Sequence, residues 1–165
     1  MAWRGERTPI HHVFAYGSLA AAGGEPRVLR DHRRGWGVAM DNRQTIPGYK
    51  FYVDAESGDR PAVYVTFVCI WPERGASVEG VLLEVDDAGL AALDQRERNY
   101  DRVDVSAHLD GDGPVWAYVA SADGRARFER GRREGTLVVA RAYLEAARVE
   151  TDLPVLPLLR RDVGG

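Results

Sequence analysis

The chain has 165 residues, enough for one domain with a hydrophobic core, and its 45% apolar and 28% charged residues are typical of a globular protein. The net charge of −3 excludes a general electrostatic attraction to nucleic acid or to anionic membranes. The single cysteine, Cys69, excludes an internal disulfide. No apolar run is long enough to span a bilayer, and the first residues lack the apolar core of a signal peptide, so we expect a cytoplasmic protein.

The residue pattern divides the chain into three parts. Residues 1–9 are polar and are expected to form a loose N-terminus, whereas residues 10–150 carry the predicted strands and helices of one domain. The apolar, proline-rich stretch at the start of residues 151–165 excludes a regular helix or a central strand. We therefore expect it to form an extended strap that lies across the body or covers a partner.

Apolar runs separated by turn-forming residues predict six or seven β-strands. The most β-prone run, residues 62–71, is almost continuously apolar and predicts a central strand that Pro72 ends. Gly80, inside the strand predicted over residues 77–85, indicates a bulge or a close backbone approach. Residues 100–107 and 115–121 predict a hairpin, and the remaining strands are expected at residues 10–16, 35–42 and 49–53.

Few segments predict helices. Asp86 and Asp87 are expected to cap a helix over residues 88–96, and residues 136–148 are expected to end in a second helix. Residues 26–32 predict a short helix or a turn, and the arginine-rich residues 124–135 are expected to be exposed. This balance predicts the α+β class, as a small mixed, mostly antiparallel β-barrel, closed or half closed, with few flanking helices.

Several polar residues are interpreted as structural. His11 and His12 are adjacent and face opposite sides of a strand, a spacing that is poor for two ligands of one metal, so one surface and one hydrogen-bonded histidine are favoured over a metal site. Asp41 and Asn42 suit a turn better than a ligand contact, and Cys69 is expected to be an inert apolar group. A local basic cluster is formed by Arg27, Arg30, Arg33 and Arg34. We expect acidic residues from elsewhere in the chain to balance it, rather than a bound phosphate or carboxylate.

The corner that follows the first strand is the first candidate for a binding site. Residues 13–16 read as a buried strand, and Gly17 and Ser18 interrupt it. Glycine permits a sharp turn and a close approach by a ligand. The backbone amides of Gly17, Ser18 and Leu19 can then point into one space and bind an anion such as a carboxylate.

A second stretch far downstream makes this corner more specific. Residues 93–97 read Leu-Asp-Gln-Arg-Glu, and Tyr100 follows three residues later. Together with the Tyr-Gly-Ser-Leu corner of residues 16–19, this pattern resembles the γ-glutamylcyclotransferase-like family, which includes γ-glutamylamine cyclotransferase and AIG2-like proteins. Residues 47–49 and 78–82 resemble two further features of the family, and the resemblance covers roughly residues 10–120.

The resemblance implies a reaction that needs no metal and no organic cofactor. A γ-glutamyl compound curls so that its α-amine attacks its own γ-carbonyl, which releases 5-oxoproline and the free amine. In this scheme Glu97 is the base and then the acid, and the amides of residues 17–19 hold the substrate carboxylate. Tyr16 and Tyr100 donate hydrogen bonds or wall the site, although core packing is an alternative for both tyrosines. The expected partner is thus a small γ-glutamyl molecule.

Alternatives remain open at this point. Arg98 stands where the family often has glycine, and it either pairs with Glu97 and lowers its pKa or points outward. That departure and the apolar strap favour a second hypothesis, a non-catalytic ligand-binding or interaction module. Hydrolysis by Ser18 is a weak third, because Ser18 lacks the Gly-x-Ser-x-Gly pattern. The leaving group and the oligomeric state are not determined by the sequence.

Overall fold

The fold belongs to the α+β class, as expected. The computed structural model describes residues 9–17, 19–20, 23–111 and 113–164. In chain order the elements are β1 (His11–Ala15), β2 (Glu25–Asp41), β3 (Lys50–Asp54), β4 (Tyr64–Val85), α1 (Asp87–Arg96), β5 (Tyr100–Asp104), a 3₁₀ helix (Ser106–His108), β6 (Val115–Ala120), α2 (Ala122–Glu134), β7 (Leu137–Ala140), α3 (Arg141–Ala147), β8 (Val155–Leu156) and β9 (Leu158–Asp162).

One mixed sheet of seven strands organises the chain. Its order is β5-β6-β1-β4-β7-β8, with β2 also paired to β4, and β3 and β9 form a separate pair. The pairs β1–β4, β2–β4, β3–β9 and β5–β6 are antiparallel, whereas β1–β6, β4–β7 and β7–β8 are parallel. The strand path runs from β5 to β8, and no further pairing among the described residues joins these two ends.

The long ribbon of β2 and β4 corrects two predictions. Residues 26–32 are neither helix nor turn but the first half of β2. Pro72 does not end β4, which continues to Val85. The register shifts between Arg30 and His32, opposite Pro72, so the missing proline N–H falls where the ladder is already interrupted.

Close contact between β1 and β4 confirms the prediction at Gly80. A Cβ added there would lie 2.4 Å from the Ala15 carbonyl oxygen and 2.6 Å from the ring of Phe14. Both distances are far below van der Waals contact, so only glycine fits at this crossing. Gly80 therefore fixes the position of the end of β1, which leads into the Gly17 corner.

The helices agree only in part with the prediction. The Asp86 carboxylate accepts a hydrogen bond from the Gly89 N–H at 2.7 Å and caps α1, as expected. Helix α2 was not predicted, and its buried residues are Gly124 and Gly131. Residues 136–148 hold the short strand β7 before the expected helix, α3.

The proline-rich C-terminal stretch pairs within the fold. Strand β8 adds to β7 in parallel, and β9 pairs with β3 along Lys50–Asp54. Leu158 is 4% exposed and packs in a core cluster with Tyr49, Tyr52 and Phe67. The backbone of this segment is thus used inside the domain.

Candidate active site

A gap along one edge of β4 creates the candidate site. On this edge β4 pairs with β7 at Tyr64–Val65 and with β1 at Val81–Val85. Between these pairings, the peptide groups of Val68 bind tyrosine hydroxyls: the Val68 N–H donates to Tyr143 at 2.9 Å, and the Val68 carbonyl accepts from Tyr100 at 2.7 Å. Side chains therefore satisfy the backbone where a neighbouring strand would otherwise do so.

A cavity of about 350 Å³, counting its open mouth, lies at this gap. It brings together five of the six residues that the sequence singled out, since Tyr16, Gly17, Leu19, Glu97 and Tyr100 all line it. Ser18 lies outside the described residues. The other lining residues are Phe14, Ala15, Val68, Tyr118 and Tyr143.

Three of the four tyrosines in the cavity donate their protons to protein acceptors. Tyr16 donates to the Tyr118 carbonyl, Tyr100 to the Val68 carbonyl and Tyr118 to an Asp94 carboxylate oxygen at 2.8 Å. A hydroxyl has one proton and two acceptor lone pairs. The oxygens of these three tyrosines thus keep only acceptor capacity toward the cavity.

Tyr143 differs from the other tyrosines. Its hydroxyl accepts from the Val68 N–H, and among the described residues it has no acceptor of its own. Its proton is therefore available to a ligand. A Cβ added at Gly17 would lie 3.9 Å from this hydroxyl oxygen, so the free donor is next to the Gly17 corner.

Burial keeps the tyrosine hydroxyls neutral. The pKa of Tyr16 and the pKa of Tyr100 are both raised well above the usual value, chiefly because burial disfavours the phenolate. Nearby Glu97 adds to both shifts through charge repulsion. Burial also raises the pKa of Tyr143. At neutral pH the cavity wall consequently carries hydroxyl groups and no phenolate.

Glu97 supplies the cavity with a carboxylate. It follows α1 as the C-cap residue, and its N–H donates to the Leu93 carbonyl at 2.9 Å. Its side chain is 15% exposed, and the nearest cation is the Arg96 Nε, 3.6 Å from Oε1. Burial raises the pKa of Glu97, while Arg96, Lys50 and Arg160 partly oppose that shift.

Arg98 points away from Glu97. Its guanidinium donates to the Pro47 carbonyl at 3.4 Å and lies 5.5 Å from the centre of the Tyr49 ring. The cations that lower the pKa of Glu97 are Arg96, Lys50 and Arg160, and Arg98 is not among them. The outward alternative for Arg98 is therefore the correct one.

The residues interpreted as structural have structural contacts. The Asn42 side chain is fully buried and binds the Tyr52 N–H, the Tyr52 carbonyl and the Pro61 carbonyl. Asp41 holds Arg43 through two hydrogen bonds of 2.9 Å. Burial raises the pKa of Cys69 to about 12, as expected for an inert thiol. The arginines of the basic cluster pair with Glu25, Asp110 and Glu73, and Arg34 donates to the Ala147 carbonyl.

No metal site is visible in the described part of the chain. No three His, Cys, Asp or Glu side chains there are grouped to hold an ion. The two adjacent histidines contact different carboxylates: His11 binds Asp87, and the His12 ring lies 3.5 Å from Glu84. In the same part of the chain, the helices are all too short or too polar to cross a membrane.

Sequence reasoning missed Tyr118 and Tyr143 as parts of the site. Tyr118 alternates with apolar residues on β6, and Tyr143 lies in an apolar helix face, so both matched ordinary core positions. Only their hydroxyl partners set them apart, and these partners come from distant parts of the chain.

The fold and the cavity define a class: a small α+β protein with one largely shielded carboxylate in a tyrosine-lined pocket. A family model described as "Gamma-glutamyl cyclotransferase, AIG2-like" matches residues 13–138. The chain belongs to this γ-glutamyl cyclotransferase, AIG2-like family, as the sequence motifs indicated.

Three solved structures show a likeness to this chain. A γ-glutamyl cyclotransferase is 14% identical with a TM-score of 0.40, over 68% of each chain. An Arabidopsis thaliana protein is 19% identical with a TM-score of 0.41, over 82% of this chain and 87% of that one. An uncharacterised Homo sapiens protein is 15% identical with a TM-score of 0.38, over 68% and 67%. Comparison with curated proteins gives no significant match.

Proposed function

We propose that this protein is a cofactor-independent γ-glutamyl cyclotransferase that releases 5-oxoproline and a free amine from a small γ-glutamyl compound. The observation that carries the proposal is the position of Glu97, a shielded carboxylate in the same cavity as the Gly17 corner. The proposal places the catalytic domain at residues 10–150, with residues 151–165 as a strap. It also includes a cytoplasmic location.

The proposed reaction uses one carboxylate twice. Glu97 takes a proton from the α-ammonium, and the freed amine nitrogen attacks the γ-carbonyl carbon to form a C–N bond. The protonated Glu97 then gives its proton to the leaving nitrogen as the original amide bond breaks, and the ring nitrogen loses its second proton to the Glu97 carboxylate, which leaves a neutral lactam. A pKa raised by burial suits both steps, because it reduces the difference between the pKa of Glu97 and the pKa values of the nitrogen groups with which it exchanges the proton.

The tyrosines suit two different groups of the reacting substrate. Tyr16 and Tyr100 present acceptor oxygens, which suit the substrate ammonium. Tyr143 keeps a free proton beside Gly17, which suits the oxyanion that develops on the γ-carbonyl. The amides of residues 17–19 are the proposed hold on the substrate α-carboxylate.

Positioning supplies much of the rate in this scheme. The attack is intramolecular, and well-oriented reactions of this kind reach effective molarities on the order of 10⁵ M or more. The cavity therefore needs to hold a curled substrate rather than to activate a second molecule. That requirement agrees with a site composed of hydroxyls, backbone and one carboxylate.

The test is the release of 5-oxoproline from γ-glutamyl amino acids, γ-glutamyl-lysine, glutathione and a γ-glutamyl amine. Wild type is expected to form product from at least one of them, and Glu97→Gln is expected to form none while remaining folded. Saturable ligand binding without product would instead support the non-catalytic module. The structure reduces the support for that module, because Arg98 points away from Glu97 and the C-terminal strap pairs with β7 and β3.

A further inference from the structure

The turn that joins α1 to β5 has a residue of the cavity at each end. Glu97 ends α1 and Tyr100 begins β5, and both line the cavity. The Tyr100 N–H donates to the Glu97 carbonyl at 3.2 Å and closes the turn. Asn99, between them in the chain, lies outside the cavity and is 3% exposed. A buried amide needs hydrogen-bond partners, so the contacts of Asn99 show what holds this turn.

Arg127 of helix α2 binds the side chain of Asn99. Its Nη2 donates to the Asn99 Oδ1 at 2.9 Å, and its Nε donates to the Ala39 carbonyl of β2 at 2.7 Å. Because a guanidinium only donates, the Asn99 oxygen faces Arg127 and the amide nitrogen faces another partner. That nitrogen donates to the Tyr49 hydroxyl at 3.0 Å. Arg127 therefore fixes the orientation of the buried amide and links the turn to β2.

The start of α2 holds the backbone of the same turn. The Asn99 carbonyl accepts from the Ser121 N–H at 3.1 Å and from the Ser121 hydroxyl at 2.8 Å. Ser121 is also the N-cap of α2, where its hydroxyl oxygen accepts from the Gly124 N–H at 2.9 Å. A Cβ added at Gly124 would lie 2.6 Å from the Asn99 carbonyl oxygen. Helix α2 thus packs directly on the turn that presents Glu97.

From these contacts we infer that Arg127, acting through Asn99, is a positioning residue for the Glu97 carboxylate. The inference rests on the proposed function and adds to it a residue that lies outside the cavity. Without Arg127 the buried Asn99 oxygen loses its donor, and the turn regains a partner for it by shifting toward water. Glu97 belongs to the same turn, so its carboxylate leaves its shielded position with that shift.

A displaced Glu97 should affect the chemistry more than substrate binding. Both proposed proton transfers need the carboxylate within hydrogen-bond distance of a substrate nitrogen. Substrate binding is assigned in the proposal to the amides of residues 17–19, on a different part of the chain. A loss of positioning should therefore lower kcat and leave KM nearly unchanged.

The pKa of Glu97 distinguishes a moved carboxylate from a lost charge. Burial is the main cause that raises this pKa, and the cations that oppose the shift are Arg96, Lys50 and Arg160. The tyrosine hydroxyls in the cavity are neutral at neutral pH. Removing the positive charge of Arg127 alone would leave the pKa of Glu97 unchanged or raise it, whereas exposing the carboxylate to water would lower it. The two effects thus have different signs.

The test measures 5-oxoproline release by Arg127→Met with the best γ-glutamyl substrate of wild type. We expect kcat to fall about tenfold or more, since a misplacement of 1 Å can cost about 10²-fold in rate. KM should stay within about twofold, and the acid limb of the pH profile should move to lower pH. Asn99→Ala should change kcat and the acid limb in the same directions. The double variant should lose less than the product of the two single effects, because both act through one contact.

Conservative and control variants separate positioning from general destabilisation. Arg127→Lys keeps the charge and a donor, so its kcat should lie between those of wild type and Arg127→Met, and it replaces that variant if thermal melting shows Arg127→Met to be unfolded. Arg132→Met removes an exposed charge from the same helix and should behave as wild type. Asn42→Ala removes another buried asparagine, remote from this turn in its contacts, and should lower stability without moving the acid limb.

Unchanged kcat and pH profile in folded Arg127→Met would overturn the inference and leave the proposed function intact. The same shift of the acid limb in Asn42→Ala would also overturn it, because the effect would then follow from lower stability alone.

A titration of Glu97 itself separates the two claims if no substrate is turned over. With glutamate labelled with ¹³C at the side-chain carboxyl, the Glu97 NMR signal is identified by its loss in Glu97→Gln. Its titration midpoint should fall in Arg127→Met and stay at the wild-type value in Arg132→Met. Absence of turnover with this selective fall would contradict the proposed function but retain the link between Arg127 and the carboxylate. An unchanged or raised midpoint would contradict the inference.

Discussion

Two carboxylates one helical turn apart at the end of α1 have opposite surroundings. Asp94 is 41% exposed and is bound by the Arg102 Nε and the Tyr118 hydroxyl, each at 2.8 Å. Glu97 is 15% exposed, and its nearest cation is 3.6 Å away. Burial raises the pKa of Glu97. Asp94 thus holds elements together, whereas Glu97 keeps the capacity to exchange a proton.

This contrast leads to the hypothesis that one short segment carries both a structural carboxylate and the proposed catalytic one. Residues 93–97 contain both acids, and their spacing puts them on adjacent sides of the final turn. One side faces β5 and β6, where cationic and hydroxyl donors are available. The other side faces the cavity, where Tyr16 and Tyr100 already donate their protons to backbone carbonyls. Four predictions test this division.

The largest expected effect is on turnover. Glu97→Gln should lower kcat/KM for a γ-glutamyl substrate by at least about 10²-fold, since general acid–base catalysis typically contributes 10²–10⁴. Asp94→Asn, the matched control, should lower it by no more than a few fold. Steady-state 5-oxoproline release measures both. Comparable losses in the two variants would contradict the division of duties.

The tyrosine partners of the two regions should differ in their contribution to stability. Tyr100→Phe should lower the free energy of unfolding by about 1–3 kcal/mol, because it leaves the Val68 carbonyl without its donor in the cavity wall. Tyr118→Phe should cost less, under about 1 kcal/mol, because Asp94 is exposed and still binds Arg102. Urea denaturation of both variants measures the difference, and the reverse order would contradict it.

Stability should also depend on pH through Glu97. Because its pKa is higher in the folded protein than in the unfolded chain, the folded state binds more protons between those two values. Stability is therefore lost as the pH rises through this window, at about 1.4 kcal/mol for each unit of pKa difference. Glu97→Gln should melt at a higher temperature than wild type at pH 7, and the difference should vanish at acidic pH. A constant difference across pH would contradict this assignment.

The smallest expected effect is at Arg98. Arg98→Ala should lower stability by about 0.5 kcal/mol, because it removes one exposed cation–π contact and a long hydrogen bond. Turnover and its pH profile should change by less than about twofold, since Arg98 does not face Glu97. A shifted acid limb of the pH profile would show instead that Arg98 acts on that carboxylate.

The periodicity of apolar residues predicted most of the strands and two of the helices. It did not predict helix α2, which packs through glycines, or the first half of β2, which ends at a bulge. Helix α2 packs Gly124 and Gly131 against the sheet, and a Cβ at Gly131 would lie 2.8 Å from the Tyr64 side chain. Its inward face has a single large apolar residue, Phe128, which is only partly buried, so the sequence suggested only a charged, exposed segment. The extended first half of β2 was missed because the strand that pairs with it, β4, lies far along the chain, and because Arg30 pairs with the distant Asp110.

The residues of the candidate site that belong to the two sequence motifs were predictable. The structure brings Tyr16, Gly17, Leu19, Glu97 and Tyr100 to one cavity, and their catalytic roles remain predictions. Tyr118 and Tyr143 were not predicted as parts of the site, since the partners of their hydroxyls come from distant parts of the chain. Such groups gain meaning only from contacts between distant segments, which local patterns do not encode.

The tyrosine bonds to Val68 provide the site with a reporter of its own. The Val68 amide is protected by the Tyr143 side chain on α3, and not by a neighbouring strand. Its hydrogen exchange therefore records whether α3 is docked, while nearby amides of β4 record the unfolding of the sheet. A ligand that accepts a hydrogen bond from the Tyr143 hydroxyl should change the exchange rate of the Val68 amide before that of its neighbours. Hydrogen exchange at this one amide therefore reports whether the site is occupied.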